Sequence, residues 1–570
     1  MPNKQSTYNR SPITWVKDFW FLARPYWQGS DKFKAIALIT AVVILNLLMV
    51  GATVMINKWY NTFYDAIQQY DKVKFYELII RFCVIAFCYI SFAVLASYLQ
   101  KILNIRWRKW LTNYYLTNWF QAKSYYKTKF VSKVSDNPDQ RIQEDINSFI
   151  VLALDLSLGL LTSLVTLFSF IFILWKLSGT LKFDIASYHI VIPGYMVWVA
   201  LIYAVAGTYI MFKIGRPLIK LDYQQQAYEA DFRFGLMRVR EYSESIAFYN
   251  GETQEKAGLI TRFNNVVNNY VAIIYRQLKM GIFSIGYNQT AVIFPFLAAA
   301  PRYFAKAIKL GDLMQISSAF GRVQEALSYF IGAYTSLAGW RAVMDRLYGF
   351  QVSINEAKQL TGLVVESGTN YLQLSNININ LPSGKSLVNG VNLTLNKGDT
   401  LLIKGRSGSG KTTLLRTIAG LWHFADGNIS QKPNLNSLFI AQKPYLTIGK
   451  LKEAICYPLT NNLPNDHEVQ KLLAIFNLDH LANRLEEHAD WTNMLSVGEQ
   501  QRIAICRILI NKPDIIYLDE ATSALDEEME AITYNTIRSQ LPNSVIVSVG
   551  HRSTITKWHD QVLDFNSLVA

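Results

Sequence analysis

The chain has 570 residues, which suggests about two to four domains. It is 51% apolar and 13% aromatic but only 17% charged, and its mean hydropathy is positive, which argues against a wholly soluble enzyme and for a membrane part. The net charge of +14 would suit nucleic acid, but many Lys and Arg flank or follow long apolar runs, as loops beside anionic lipid do, and no nucleic-acid module accompanies them. The expected partner is a lipid bilayer, with no nucleic acid.

The N-terminal segment, 1–34, reaches no apolar stretch until after Ser30, so no cleaved signal peptide is expected. Within it, residues 12–27 place Trp15, Phe19, Leu22 and Tyr26 at helical spacing with Lys17, Asp18 and Arg24 between them. That pattern suits a helix lying on the cytoplasmic membrane face, and equally an amphipathic helix packed on the protein. Uncharged runs at 35–56, 82–100, 156–175, 190–212 and 280–301 are each long enough to cross a hydrocarbon core of ~30 Å. A sixth span, 313–340, carries Arg322 and Glu325 three residues apart on one helical face, which must line a polar cavity or pair inside a bundle. Pro295 and the Asn288-Gln289 pair predict a kink and interhelical hydrogen bonds in the fifth. A six-helix membrane domain over 35–340 follows.

The connections 57–81, 176–189 and 302–312 are short, whereas 101–155 and 213–279 are long and rich in Lys and Arg. The positive-inside tendency places the long ones and both termini in the cytoplasm. Little in them breaks a helix, so each is expected to leave the membrane as helix, turn and return, with ~20 residues per leg reaching ~30 Å. The charged stretches 136–145 and 232–252 suit a solvated face or a protein contact. Residues 341–370 read as a polar linker, and 371–570 alternate strands and helices with glycine turns, as a soluble α/β domain does. Cys83, Cys88, Cys456 and Cys506 have neither C-x-x-C nor metal-like spacing and read as core or helix-face residues in a reducing compartment.

In the α/β domain, residues 399–413 form an apolar strand, a glycine-rich turn and a helix start. Gly405, Gly408 and Gly410 permit backbone shapes that side chains block, so successive amides can face phosphate oxygens. The phosphate-binding set is Gly405, Arg406, Ser407, Gly408, Ser409, Gly410, Lys411, Thr412 and Thr413, with Lys411 for the β- and γ-phosphates and the Thr412 hydroxyl for Mg2+. An apolar strand at 515–520 ends in Asp519, suited to Mg2+, and Glu520, suited to polarising water for in-line attack. Leu495 to Arg502 precedes a helix, with Ser496 and Gly498 offering a hydroxyl and an amide to a phosphate. Gln442 is suited to Mg2+ or water, and His551 to donating to the γ-phosphate.

Together these residues resemble the ATP-binding cassette family: Walker A at 405–412, Q-loop Gln442, signature 495–499, Walker B 515–520, D-loop Ser523–Asp526 and switch His551, in family order. The resemblance covers the whole chain and implies a half-transporter of the exporter (type IV) fold, a membrane α-helical domain fused to a cytoplasmic P-loop domain. It implies ATP and Mg2+ as cofactors and a homodimer in which ATP on Lys411 of one copy meets Ser496 and Gly498 of the other. The stretches 137–145 and 244–252, with Leu495-Ser-Val-Gly-Glu-Gln-Gln-Arg502, are similar to the bacterial YddA/BacA (SbmA/BacA-like) group, related to the peroxisomal D-subfamily. That resemblance implies a bacterial inner membrane, loop tips that couple to the cassette, and a large hydrophilic or amphipathic solute such as cobalamin or peptide. A lipid, fatty-acyl or drug exporter is the alternative, and a membrane-anchored ATPase regulator a reading of another class. Val497 and Glu499 depart from the common signature, and Leu381 stands near the position where an aromatic commonly stacks on adenine.

Overall fold

Apolar runs that pass into charged segments without strong breakers should form helices longer than a bilayer is thick, and they do. The computed structural model describes residues 12–131, 137–185 and 188–568; residues 1–11 and Asp136, at the head of the first charged stretch, lie outside them. In order come α1 (Pro12–Trp27), α2 (Lys32–Gln68), α3 (Lys72–Phe120), α4 (Ser124–Val131), α5 (Pro138–Gln140), α6 (Ile146–Ser178), α7 (Tyr195–Glu241), α8 (Ser243–Tyr249), α9 (Glu252–Phe304) and α10 (Leu310–Gln359). The 53 residues of α9 make a rod of ~80 Å, far beyond the ~30 Å of a hydrocarbon core. Five helical stretches among the described residues are long and apolar enough to cross a membrane; the sixth expected span, 313–340, is helical within α10 but is not among those five.

Two compact units divide the chain: Met1–Asn118 with Lys133–Val352, and Trp119–Ser132 with Ser353–Ala570. In the first, α1 packs on the protein, one of the two placements its pattern allowed. Leu22, Ala23 and Tyr26 are buried, Tyr26 stacks on Trp107 at 5.4 Å, and Asp18 pairs with Arg341 at 3.3 Å. Polar groups tie α2 to α10: Asn57 and Gln315 bond reciprocally, and the Gly311 amide donates to Asp65 at 2.9 Å. A Cβ on Gly311 would lie 2.1 Å from the Asn61 carbonyl oxygen, so only glycine allows this approach.

In the first charged stretch, Asp145 is no solvated residue. Its carboxylate is 2% exposed and accepts from Arg141 at 2.8 Å and from Nε of Arg346 at 2.9 Å. Replacing Arg346 by Met is expected to lower stability by about 2 kcal/mol, because one partner of a buried charge is lost. Adding Asp145→Asn should recover part of that loss by removing the stranded charge. Thermal unfolding of the purified full chain reads both effects, and equal melting of wild type and R346M would refute the argument.

Two boundaries differ from expectation. The fourth apolar run does not start a helix at 190: β1 (Thr180–Ile185) pairs antiparallel with β2 (Tyr188–Pro193), and α7 begins at Tyr195. Ile190, Val191 and Ile192 are β-branched, and Gly179 and Gly194 take positive φ at the two ends, so the run suits a strand closed by turns. The segment expected as a linker is helical up to Gln359, with Val343, Met344, Leu347 and Phe350 buried along one helical stripe.

The second unit contains β3 (Val365–Ser367), β4 (Leu372–Asn380), β5 (Ser386–Leu395), β6 (Thr400–Lys404), β7 (Ala425–Gln431), β8 (Ser437–Ile440), β9 (Gly449–Lys450), β10 (His488–Ala489), β11 (Ile515–Asp519), β12 (Val545–Val549) and β13 (Gln561–Asp564). Its helices are α11 (Lys411–Ile418), α12 (Leu451–Cys456), α13 (Asp466–Ile475), α14 (Trp491–Met494), α15 (Val497–Asn511) and α16 (Glu527–Gln540). A parallel sheet of order β13-β6-β12-β11-β8 accompanies a four-stranded sheet of order β3-β7-β4-β5. The pleat sorts β11 between two cores: Ile515 and Tyr517 join Leu401 and Leu414, whereas Ile516 and Leu518 join Ile503 and Leu451. Burial on both faces explains the unbroken apolar run before Asp519. The short α4 belongs to this unit, a placement not foreseen from sequence: Phe130 meets Trp422 edge-on at 5.5 Å, and Nζ of Lys127 donates to the Leu360 carbonyl at 2.8 Å.

Candidate functional site

The site lies where parallel strands end, the position at which open α/β sheets bind ligands. After β6 the chain turns through 405–410 into α11. Gly408 and Gly410 hold φ of 81° and 101°, and a Cβ on Gly410 would press within 2.9 Å of Leu387. Lys411 folds back over the turn, its ammonium donating to the Gly405 and Arg406 carbonyls at 2.8 Å each. Burial draws its pKa down, against the upward pull of Glu520 and Asp519. The Arg406 amide donates to Asn566 at 2.9 Å, which holds the turn from the end of the chain. Ser409 Oγ is buried and has no hydrogen-bond partner among the described residues, an open donor inside the turn.

Two strands away, Asp519 ends β11 and accepts from Thr412 Oγ1 at 3.0 Å. Burial raises its carboxyl above the usual range and adjacent Glu520 adds to this, while the Thr412 bond, Arg416 and Lys411 oppose it. Glu520 itself has φ of 50°, a left-handed conformation that a side chain disfavours, and its amide donates to Val549 at 3.1 Å. Its carboxylate accepts from Gln442 Nε2 at 2.9 Å and lies 3.2 Å from His551 Nε2. Residues following β8, β11 and β12 therefore converge on one carboxylate. Hard oxygens of Thr412 and Asp519 side by side fit Mg2+, which keeps several waters and takes phosphate oxygens. Among the described residues, no group of three or more His, Cys, Asp and Glu forms a cage of its own.

Among the described residues, no hydrogen bond joins Ser496 or Gly498 to the 405–413 turn. Ser496 caps α15, donating to Glu499 Oε2 at 2.8 Å and accepting from the Glu499 amide at 3.3 Å. That reciprocal box gives Glu499, the departure from the common signature, a local structural task. The Gly498 Cα faces the D-loop so closely that a Cβ would sit 3.3 Å from the Ala524 carbonyl oxygen.

Sequence reasoning missed the residues that tie these loops together. Gln501 donates to the Gln442 carbonyl at 2.9 Å and to Ser523 Oγ at 3.3 Å, and accepts from the Ala524 amide at 3.0 Å. Arg552 donates to the carbonyls of Leu525 and Ser523 at 2.7 and 2.8 Å. A polar side chain at a buried helix position was the one signal for Gln501; nothing local marked Arg552 or Asn566.

A phosphate cradle, paired strand-end acids and a glutamine and histidine on the second acid, in a chain with long membrane-crossing helices, define an ATP-binding membrane transporter. The chain belongs to the ABC transporters: the family described as ABC transporter transmembrane region 2 matches residues 22–304, and that described as ABC transporter matches 388–523. It is 40% identical to an uncharacterized ABC transporter ATP-binding protein of Haemophilus influenzae over 96% of this chain and 92% of that protein. Its identity to the inner membrane ABC transporter ATP-binding protein YddA of Escherichia coli is 34%, over 96% and 97%. With the human lysosomal cobalamin transporter ABCD4, it shares 28% over 81% and 80%. A solved bacterial Atm1-family ABC exporter with ATP bound has the same fold, with a TM-score of 0.72, 16% identity and 93% of each chain covered. The protein is therefore an ABC half-transporter of exporter-type fold, one membrane region joined to one ATP-binding domain.

Proposed function

We propose that two copies of this chain form a homodimeric transporter in a bacterial inner membrane, coupling ATP hydrolysis to alternating access for a large hydrophilic or amphipathic solute, with peptide and cobalamin as the leading cargo classes. The observation that carries the hydrolytic part is Glu520, held by Gln442 and His551 beside the Thr412–Asp519 pair. In this reading, amides from Gly405 to Thr413 and the Lys411 ammonium hold the ATP phosphates, and Ser409 Oγ gains the partner it lacks. Thr412, Asp519 and Gln442 would hold Mg2+, which would supply positive charge to offset that of the phosphates. Glu520 orients and deprotonates the attacking water, and His551 moves from Glu520 to the γ-phosphate.

Among the described residues, Ser496 and Gly498 make no hydrogen bond to their own chain's turn, which leaves them available to ATP bound to a second copy. Membrane and cassette functions are assigned to 35–340 and 371–570, with 341–370 joining them. The second charged stretch contains α8, whose Phe248 and Tyr249 are 77% and 85% exposed, apolar rings of the kind a protein contact covers.

Likeness to the inner membrane protein YddA and to the lysosomal cobalamin transporter ABCD4 supports an inner-membrane setting and a cobalamin-sized solute respectively. The same ATP-driven closure can drive export or uptake, depending on which of the two states binds cargo better, so direction is a matter for flux measurement. Labelled cobalamin and labelled peptide are followed in inside-out and right-side-out proteoliposomes with ATP on the cassette side. ATP-driven movement that Glu520→Gln abolishes is the expected result. Glu520-dependent hydrolysis with no flux of any cargo, acyl lipids included, would instead establish the regulator reading.

A further inference from the structure

The first unit contains a cavity of about 1250 Å³, bounded by residues of α2, α3, α6, α9 and α10. That exceeds the ~300–1,000 Å³ of sites for drug-sized ligands. Of the 26 residues around it, 17 are polar or charged and 12 carry hydroxyls, among them Thr53, Thr162, Ser163 and Ser317. Polar side chains in membrane-spanning helices face water or polar cargo, because hydrocarbon leaves them unsatisfied. Thr53 Oγ1 and the Tyr329 hydroxyl already donate to the Met49 and Leu156 carbonyls; to the other hydroxyls a diacyl or steroid cargo offers no partner, whereas a solute rich in amides, hydroxyls or ammonium groups does.

Three lining residues are charged: Asp155, Arg322 and Glu325. Arg322 Nη1 and Glu325 Oε2 pair at 2.9 Å, with the side chains 45% and 69% exposed, so the pair faces the cavity and is not buried between helices. Asp155 differs. Its carboxylate accepts from the neutral Gln100 amide at 2.8 Å, and among the described residues it has no ion-pair partner. The lining therefore carries one net negative charge per copy, located at Asp155.

Resting on the transporter reading above, we propose that this cavity is a binding site for hydrophilic, positively charged solutes, with Asp155 receiving an ammonium or guanidinium group and the surrounding hydroxyls taking amide contacts. A basic peptide has that chemistry; an acyl lipid lacks the polar groups and a phosphorylated solute has the wrong sign. Such a carboxylate selects by attraction and by repulsion together.

The test uses the full chain in nanodiscs of zwitterionic lipid, with empty nanodiscs as the blank. A short lysine–serine peptide, its lysine-acetylated form and its lysine-succinylated form are titrated by calorimetry. The lysine form should bind about tenfold more tightly than the acetylated form, as one charge-assisted contact provides, and the succinylated form more weakly still. Asp155→Asn should erase that preference and Asp155→Glu should keep it. Equal binding of lysine and acetylated forms to the wild type, or a preference that survives Asp155→Asn, would overturn the proposal. Vesicle flux run in parallel separates the two readings: cation-selective binding without ATP-driven flux rejects transport and leaves the site standing. Flux of some cargo without lysine preference does the reverse.

Discussion

Replacing Glu520 with Gln is expected to lower ATP hydrolysis by about 10²–10⁴-fold while ATP binding persists, the range spanned by loss of a general base. The substitution keeps size and hydrogen bonding but removes the basic oxygen. Because Gln442 Nε2 donates to Glu520 Oε2 and His551 Nε2 faces Oε1, an amide at 520 can still accept through its carbonyl oxygen. The Lys411 turn, the Arg406–Asn566 bond and the Thr412–Asp519 contact do not pass through the altered oxygen, so the nucleotide cradle should stand. Steady-state phosphate release and binding of a fluorescent ATP analogue, measured on one preparation, separate the two effects. Hydrolysis within a few-fold of wild type would show that Glu520 is not the base.

Lys411→Ala should act at the earlier step, weakening ATP binding by about 100-fold, the scale of losing charge-assisted bonds to two phosphates. In the absence of nucleotide the ammonium is occupied by the Gly405 and Arg406 carbonyls and must exchange them for phosphate oxygens. Its burial makes the free charge costly and phosphate a favourable partner. Alanine leaves those carbonyls without their donor and the turn without its cation, beside the acids Asp519 and Glu520. Analogue titration of wild type, K411A and E520Q gives the order of events: K411A loses affinity, E520Q keeps it, and both lose turnover. Unchanged affinity in K411A would remove Lys411 from the phosphate site.

Sequence by itself determined a good deal, because certain chemistry must be written locally. Five uncharged runs have the length that a hydrocarbon core demands, and each falls in a helical stretch, apart from the first residues of the 190–212 run. The phosphate turn is legible because only glycine tolerates the φ of Gly408 and Gly410, and the cation and hydroxyl must follow at once where the helix starts. Asp519 and Glu520 are legible because a strand buried on both faces shows its end as an abrupt change from apolar to acidic. The ATP-binding membrane transporter could be recognised from these alone.

Tertiary structure decided what depends on residues far apart in the chain. The paired strands β1 and β2 and the helix through 341–359 come from packing and turn geometry that outweigh a hydropathy pattern shared by strands, spans and linkers. Asp145 looks like surface charge until Arg346, 201 positions away, closes on it. Gln442, Glu520 and His551 meet because three parallel strands end side by side, and Gln501 joins the loops between them from a helix whose local pattern says only that it is amphipathic. Whether Arg322 and Glu325 were buried or open, and that Asp155 lines the same cavity with no ion-pair partner among the described residues, depended on how separate helices pack. Periodicity gives each helix its faces; only the neighbours determine which face meets water, lipid or cargo.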